Sequence, residues 1–600
     1  MGHTQSVPLH TFHIPVMGTG FTIDTPLKVA RFGIASVVSL VDDVLIERVR
    51  QRLCRENGEP CVPIEDDADD ARARRITAYL DLLDTLVNRQ VERVRGAVFE
   101  AGSEIVRYFE LLPPSPLRDL YERMKATTDP EARRRLQDRL REFVKPGPID
   151  VNIMTKLDRD QDRRGRRFSE RCTDALSAMR GFMNSRVDAS VVLSAGMNRR
   201  LFSYMAEFGD MFPDQSGDLH KRIVLKVSDY RSALLQGKLL ARLGLHVSEF
   251  RVESGLNCGG HAFGGKGQLI GPILEEFKRE KDNLVGNLRR IRRQALDALG
   301  RGEQSGEPAP ARITVQGGLG DADEDRFLRD HYRVDGTGWG SPFLFVPEVV
   351  NIDAENLARL KAAGEEDIDL SGASPLGVPF WSLRTSSSEE SRRRRLAEGK
   401  PGSRCPKGYL VANSEFTAAP ICTASRGFQR RKLEQIERSD LSDREKARAR
   451  ESVVAKACIC HDLAGSATVP MEIDPEATTA VCCGPDAAYF NQETTLDGMV
   501  DHIYGRASLP LVPERPHMLL KELSLHLECL RRDIARQAEA PSDRLAKAIG
   551  DCRENLQQGV QHYRELAGEM VATRRAAFRE RLEGLQRELA ELLPARGAKG

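Results

Sequence analysis

The sequence predicts an α/β protein built on a parallel (β/α)8 barrel of the TIM type. Three observations lead there. Short apolar segments recur along the first 350 residues, helix-forming stretches separate several of them, and the last two end in glycine-rich corners. Strands alternating with helices at this spacing form right-handed βαβ units on a parallel sheet. About eight strands suggest a closed barrel; an open doubly wound sheet is the other arrangement the spacing allows.

The elements follow in order. "FHIPVMGTGF" reads as a first strand with a glycine-rich turn, and "TPLKVARFGIASVVSL" as a helical stripe leading into a second strand. Residues 70–145 change character, within an insertion placed at 55–145. Ile76, Leu80, Leu83, Val87, Val91, Val94 and Val98 fall at helical spacing among charged residues, and Pro113, Pro114 and Pro116 punctuate the run, so a helical insertion is expected. Strands resume at "PIDVNIMTKL", "ASVVLSAG", "RIVLKVS", "VSEFRVES", "ARITVQGGLG" and "RVDGTGWGSPFLF", with helices expected over Arg231 to Leu243 and Ile270 to Leu299. The barrel thus takes residues 1–54 and 146–350. A loop-rich, cysteine-rich segment takes 351–512, and a helical region 513–600. In that last region Phe578, Leu582, Leu585, Leu589 and Leu592 form an a/d stripe, expected to pack on the main body or to dock a second subunit or a redox partner.

Ninety Lys and Arg against 89 Asp and Glu leave a net charge of +1 in 600 residues, which argues against a nucleic-acid or membrane-surface protein. Neither a secretory signal nor an apolar run of membrane-spanning length stands out, so a cytoplasmic location is expected. In a reducing compartment the 12 cysteines are thiols, metal ligands or reactive groups rather than a disulfide framework.

Glycine permits positive φ and lets backbone N–H groups approach an anion closely. The corners "GGLG" and "GTGWGS" close consecutive strands late in a βα series, where barrels commonly bind phosphate. "DADEDRFLRDH" supplies a helix whose N-terminal N–H groups would add to the first corner. In "GLNCGGHAFGG" a single histidine, His261, stands among glycines at a strand's C-terminal end, where an imidazole can donate to a substrate oxygen or accept a proton near neutral pH.

"VMGTGF", "VNIMTK", "CGGHAFGG", "VQGGLG" and "VDGTGWGSPFLFVPE" occur in an order that resembles the nitronate monooxygenase and 2-nitropropane dioxygenase-like family, which includes FMN-dependent enoyl reductases. The resemblance covers roughly residues 10–50 and 145–350 and implies an FMN-binding barrel. It implies that Gly18, Thr19 and Gly20 pass beneath the flavin ring, with Gly260 in the histidine corner also touching the cofactor. Asn152 would hydrogen-bond the flavin, Lys226 would lie at its polar edge, and Gly317, Gly318, Gly340 and Ser341 would cradle the phosphate. His261 would be the catalytic histidine. One departure stands out: the family's Glu-Ala-Gly-Gly-His is here Asn257-Cys258-Gly259-Gly260-His261, which removes an acid and brings in a thiol.

The cysteine-rich segment places Cys405, Cys422, Cys458, Cys460, Cys482 and Cys483 within eighty residues, with His461 beside the third pair. Thiolates bind iron–sulfur clusters and zinc. Neither the Cys-x-Cys nor the Cys-Cys pair matches a named motif, so a [4Fe-4S] cluster, zinc and unmetallated thiols all stay open; four ligands would be Cys405, Cys422, Cys458 and Cys460. Trp381, Arg384 and the adjoining serines suit an anionic substrate near the barrel mouth or a solvated linker.

These readings converge on a flavin-dependent oxidoreductase acting on an activated small or acyl-chain compound: a nitronate, an enone or an enoyl thioester. The alternatives are a non-catalytic scaffold for a larger synthase or redox complex, and a barrel that binds a phosphosugar with the same glycines.

Overall fold

The computed structural model describes residues 8–592 except 156–157, 161–166, 168, 195, 264–265 and 569–571. Gly264 and Gly265 of the histidine corner therefore lie outside the described residues. Eight parallel strands close on themselves: β1 Phe12–Ile14, β2 Ala35–Ser39, β3 Ile149–Ile153, β4 Ala189–Leu193, β5 Lys221–Val227, β6 Val247–Glu253, β7 Arg312–Gln316 and β8 Gly336–Gly338. The closing register pairs Phe12 with Thr337 and His13 with Gly338. The (β/α)8 architecture is thus as the sequence indicates. Strand β8 is shorter than expected. It ends at Gly338, and Ser341–Phe345 turns into a 3-10 helix whose Phe343, Leu344 and Phe345 are buried.

Each strand alternates between two environments. Outward residues such as Val151, Val191, Leu225, Phe250 and Val315 join the large apolar core between sheet and helices. The barrel interior is mostly polar. Its small apolar plug is Val37, Val192 and Val224, capped by Val16. Below it, Glu249 Oε1 accepts from Arg251 Nε at 2.8 Å and from the Thr314 hydroxyl at 2.6 Å. Burial works to raise that carboxyl, yet Arg251, Arg312 and the Thr314 hydroxyl outweigh it and hold it at about 2.

Between β2 and β3 the chain forms helices Ala71–Gly96, Glu104–Leu111, Pro116–Ala126 and Pro130–Glu142. Here Pro116 and Pro130 open helices rather than end them. Each takes the first helical position, behind Ser115 and Asp129 caps that accept from the Arg118 and Ala132 N–H groups.

Residues 351–512 are less loop-like than expected. They form a hairpin, β9 Ile368–Ser371 with β10 Phe380–Leu383, and helices including Ser387–Ala397, Arg426–Glu437, Asp443–Val454, Ile459–Thr468 and Leu496–Ile503. The C-terminal region forms helices Met518–Glu539, Asp543–Leu566 and Ala572–Glu591. The stripe Phe578, Leu582, Leu585 and Leu589 is buried within the chain, against the two preceding helices, so it is not a free docking seam. Among the described residues no helix is long and apolar enough to cross a membrane.

Candidate functional site

A cavity of about 490 Å³ opens at the C-terminal ends of the strands, within the range of ~300–1,000 Å³ usual for ligand sites. Gly18, Thr19, Asn152, Lys226, Gly260, His261, Gly317, Gly318, Gly340 and Ser341 all line it. Gly20 does not. A Cβ there would meet Ser466 Oγ at 2.5 Å and the carbonyls of Leu463 and Ala464 at 3.0 Å, because helix Ile459–Thr468 packs against it.

The floor is a polar relay. Lys226 Nζ donates to Glu253 Oε1 at 3.0 Å, Gln316 Nε2 donates to the same oxygen at 2.7 Å, and His13 Nε2 lies 3.4 Å from Gln316 Oε1. Burial, with Arg251 nearby, lowers the His13 imidazole to about 3, so it is neutral. Asn152 Nδ2 donates to the Val192 carbonyl at 3.1 Å, which fixes its amide against β4.

The rim at β7 and β8 is glycine backbone. Gly317 and Gly318 adopt φ of 106° and 87°. A Cβ at Gly317 would sit 2.6 Å from Cys258 Sγ, and one at Gly318 2.6 Å from Asn257 Nδ2, so only glycine lets the two loops approach. The N–H groups of Gly317, Gly318, Gly340 and Ser341 have no partner among the described residues. The helix after this corner, Ala322–His331, adds nothing to an anion site, contrary to expectation. Its Asp321 cap accepts from the N–H groups of Asp323 and Glu324, and its first turn carries Asp323, Glu324 and Asp325. The acids fill the place an anion would take.

His261 is braced by the β9–β10 hairpin. Its Nε2 lies 2.7 Å from the buried Ser374 Oγ, and its ring meets Phe380 edge-on at 5.1 Å between centroids. Backbone bonds lock the pair of loops: Trp381 N–H donates to the Gly260 carbonyl at 2.8 Å, and Ala262 N–H to the Pro379 carbonyl at 3.0 Å. Trp381 Nε1 donates to the Leu256 carbonyl at 2.8 Å, so this tryptophan holds the histidine loop and is neither a substrate platform nor part of a linker. Arg384 reaches the Glu366 carbonyl, away from the cavity lining.

Further along the mouth, the Gly484 N–H donates to Ser341 Oγ at 2.8 Å, and a Cβ on Gly18 would lie 3.4 Å from Cys482 Sγ. The segment around Cys482–Asp486 therefore crosses the glycine loops. Asp486 Oδ1 accepts from Arg515 Nε at 2.9 Å, while its buried Oδ2 has no partner among the described residues. Burial pushes this carboxyl up to about 6. Thr19 Oγ1 and Asn257 Oδ1 are likewise buried without partners. Ser374, Glu253 and Asp486 escaped the sequence reading. Glu253 sits on the same face of β6 as Glu249 and Arg251, which the strand's alternation marks; Ser374 and Asp486 carry no local signal.

The cysteines are not gathered into a ligand set among the described residues. Cys422 lies near Cys405 and Cys458, and Cys458 near Cys460, but among the described residues no group of three or more His, Cys, Asp or Glu side chains is arranged to hold a metal ion. Burial pushes the Cys422 and Cys482 thiols up to about 12. Cys460 and Cys482 line the cavity beside Cys258, whose thiol is also raised by burial and donates to the Gln316 carbonyl at 3.4 Å. These are small buried side chains, and the expected [4Fe-4S] or zinc site finds no supporting arrangement among the described residues.

No protein-family model matches the chain, and no curated protein does. Solved structures give a loose likeness. The enoyl reductase domain of MlnA from the macrolactin biosynthesis cluster of Bacillus amyloliquefaciens is 14% identical, over 70% of this chain and 88% of that one, at TM-score 0.32. A FabK variant from Thermotoga maritima is 13% identical over 63% and 80%, at 0.30. Nitroalkane oxidase from Streptomyces ansochromogenes is 10% identical over 84% and 96%, at 0.34. Likeness at this level adds nothing to what the strand order already shows.

Proposed function

We propose that this chain is an FMN-dependent oxidoreductase of the nitronate monooxygenase-like class, acting on an activated small or acyl-chain substrate. The observation that carries the reading is the convergence, in one cavity at the barrel's C-terminal face, of backbone N–H groups without a partner among the described residues and a braced histidine. The residues fit a flavin mononucleotide. Gly317, Gly318, Gly340 and Ser341 offer N–H groups to a phosphate. Thr19 Oγ1 and Asn257 Oδ1, buried without partners, suit the hydroxyls and ring edge of such a ligand. FMN bound there supplies hydride or single-electron exchange with an organic substrate.

The chain's own residues do the rest. Lys226, anchored by Glu253, holds a positive charge at the floor of the cavity. His261 holds or moves a proton at the substrate, its ring fixed by Ser374 and Phe380. The covering segment contributes Leu376, Phe380, Leu410, Ile459 and Leu463 to the wall, an apolar surface that excludes water and suits an acyl chain or a small nitroalkane. Cysteine-bound metal has no part in this reading.

The test is a visible absorption spectrum of the purified protein with acid release of its chromophore. Flavin bands with FMN released support the reading. A colourless protein that also fails to take up added FMN would sink it.

A further inference from the structure

A second cavity, of about 190 Å³, lies at the other end of the barrel, between helices Tyr230–Arg242 and Ile270–Ala298 and the N-terminal ends of β6 and β7. The long helix faces the barrel with a four-residue stripe: Leu284, Leu288, Arg292 and Leu296. Three members are leucines, as a core stripe requires; the fourth is a guanidinium whose side chain is only 3% exposed. Arginine is almost never fully buried unless paired. Here the pairing is incomplete. Arg292 Nη2 donates to Glu307 Oε2 at 2.9 Å, but its Nε and Nη1 have no partner among the described residues.

The charges do not balance either. Glu307 is shared with Arg289, 3.2 Å from its other oxygen, and Arg293 adds to the positive field. Glu307 is thus the acid set against at least two guanidinium groups at the cavity. Burial lowers the Arg292 value, as it does for a cation short of counter-charge. Water in the cavity supplies acceptors for the idle N–H groups but no negative charge.

The remaining polar atom fixes the ligand further. His246 lines the same cavity; its ring is neutral, lowered by burial and by Arg292 to about 3. The Ala309 backbone favours a proton on the ring, and Nε2 is buried with no partner among the described residues; with the proton on Nδ1, Nε2 presents a bare lone pair. The cavity therefore offers N–H donors and net positive charge at Arg292, one acceptor at His246, and apolar walls from Leu245, Val285, Leu288 and Pro310.

We propose that this cavity is a binding site for a small hydroxylated anion, one bearing both an anionic oxygen and an O–H. A phosphate monoanion and a short hydroxy-carboxylate share that chemistry.

The test is equilibrium dialysis of the full chain against labelled inorganic phosphate, then against labelled lactate, at millimolar concentration and constant ionic strength in chloride. The expected result is a saturable site for at least one probe that the two variants below weaken or remove, and the tighter probe identifies the source. Arg292→Met weakens that site roughly ten- to a hundredfold, the worth of a charge-assisted hydrogen bond. Val285→Phe fills the apolar wall, leaves the arginine and keeps the helix, and it also removes the site. Phosphate held at the barrel mouth survives both changes and is thereby told apart. Binding of neither probe, or binding that both variants leave intact, overturns the proposal.

Discussion

Strand β6 and the β9–β10 hairpin meet at His261, and they come to that meeting by different routes. β6 is seven residues whose alternation sends Phe250 and Val252 outward and Glu249, Arg251 and Glu253 into the barrel, so its geometry is written within its own span. The hairpin strands are four residues each, and their decisive contacts are distant. Trp381 reaches Leu256 across 125 residues, and Ser374 reaches His261 across 113. The barrel thus places the chemistry, and the covering segment restrains it through long-range hydrogen bonds. If that division is right, damage to the two regions has different signatures.

The largest effect is expected at the histidine itself. His261→Ala lowers turnover of FMN-loaded protein by ~10²–10⁴-fold, the usual worth of a positioned acid or base, with flavin content unchanged. Ser374→Ala, on the hairpin side, lowers it less and moves the pH profile, because the ring loses one of the groups that fix its orientation. Equal losses in the two variants would break the distinction between placing and restraining.

Next comes the joint between cover and barrel. Arg515 is buried, and donates to Glu324 Oε2 at 2.7 Å, to Asp486 Oδ1 at 2.9 Å and to the Gly318 carbonyl at 2.8 Å. Arg515→Met leaves those carboxylates buried and uncompensated, and should cost about 3–5 kcal/mol in denaturant unfolding. A loss below 1 kcal/mol would mean that the cover is attached elsewhere.

Glu522 sharpens the same point through pH. One oxygen accepts from the Ser254 hydroxyl at 2.6 Å and the other from the Ile270 N–H at 2.7 Å, so a residue of the C-terminal helices caps the long helix of the barrel. Burial nevertheless raises its carboxyl from 4.5 to about 7. With the folded value above the ordinary one, the stabilising contribution is full below about 4.5 and is lost as pH rises through about 7. Glu522→Gln keeps an acceptor for Ile270 and a donor for Ser254. Its stability should exceed the parent's by on the order of 3 kcal/mol at pH 8 and match it at pH 4, measured by thermal or urea unfolding.

The same contrast explains how much was legible beforehand. Gly317, Gly318, Gly340 and His261 could be read because a glycine corner after an apolar strand is a local pattern, and the barrel brings such corners to one face whatever follows. Ser374 and Asp486 could not, since each gains its meaning from a partner more than a hundred residues away or from burial that only the assembled cover creates. The metal alternative for the cysteines finds no support for a related reason. Cys458 and Cys483 are buried in the cover and Cys460 and Cys482 line the cavity wall, and a sequence shows thiols without showing how deeply they are buried. The helix after Gly320 misled differently: a helix start reads as an anion site until its own acids are seen to occupy it.

The smallest effect expected is also the most direct probe of the cover reaching into the barrel. Asp486, from the covering segment, lines the cavity beside the glycine corner and is bridged to the Gly318 carbonyl by Arg515. That arginine is shared with Glu324 and lies 3.6 Å from Asp321, so the corner faces more acid than base. A phosphate arriving there meets a like charge unless Asp486 takes up a proton, which burial already favours by raising its carboxyl to about 6. Asp486→Asn keeps the size and an acceptor for Arg515 while removing the charge. It should tighten FMN binding about tenfold at pH 8, on the order of 1 kcal/mol, read by flavin fluorescence quenching. Below pH 6 the parent's carboxyl is itself protonated, so the advantage should shrink there. The ligand's own ionisation is common to both proteins and cancels in the ratio. An advantage that stays constant with pH would place the effect in packing rather than charge, and would separate the cover from the electrostatics of the barrel mouth.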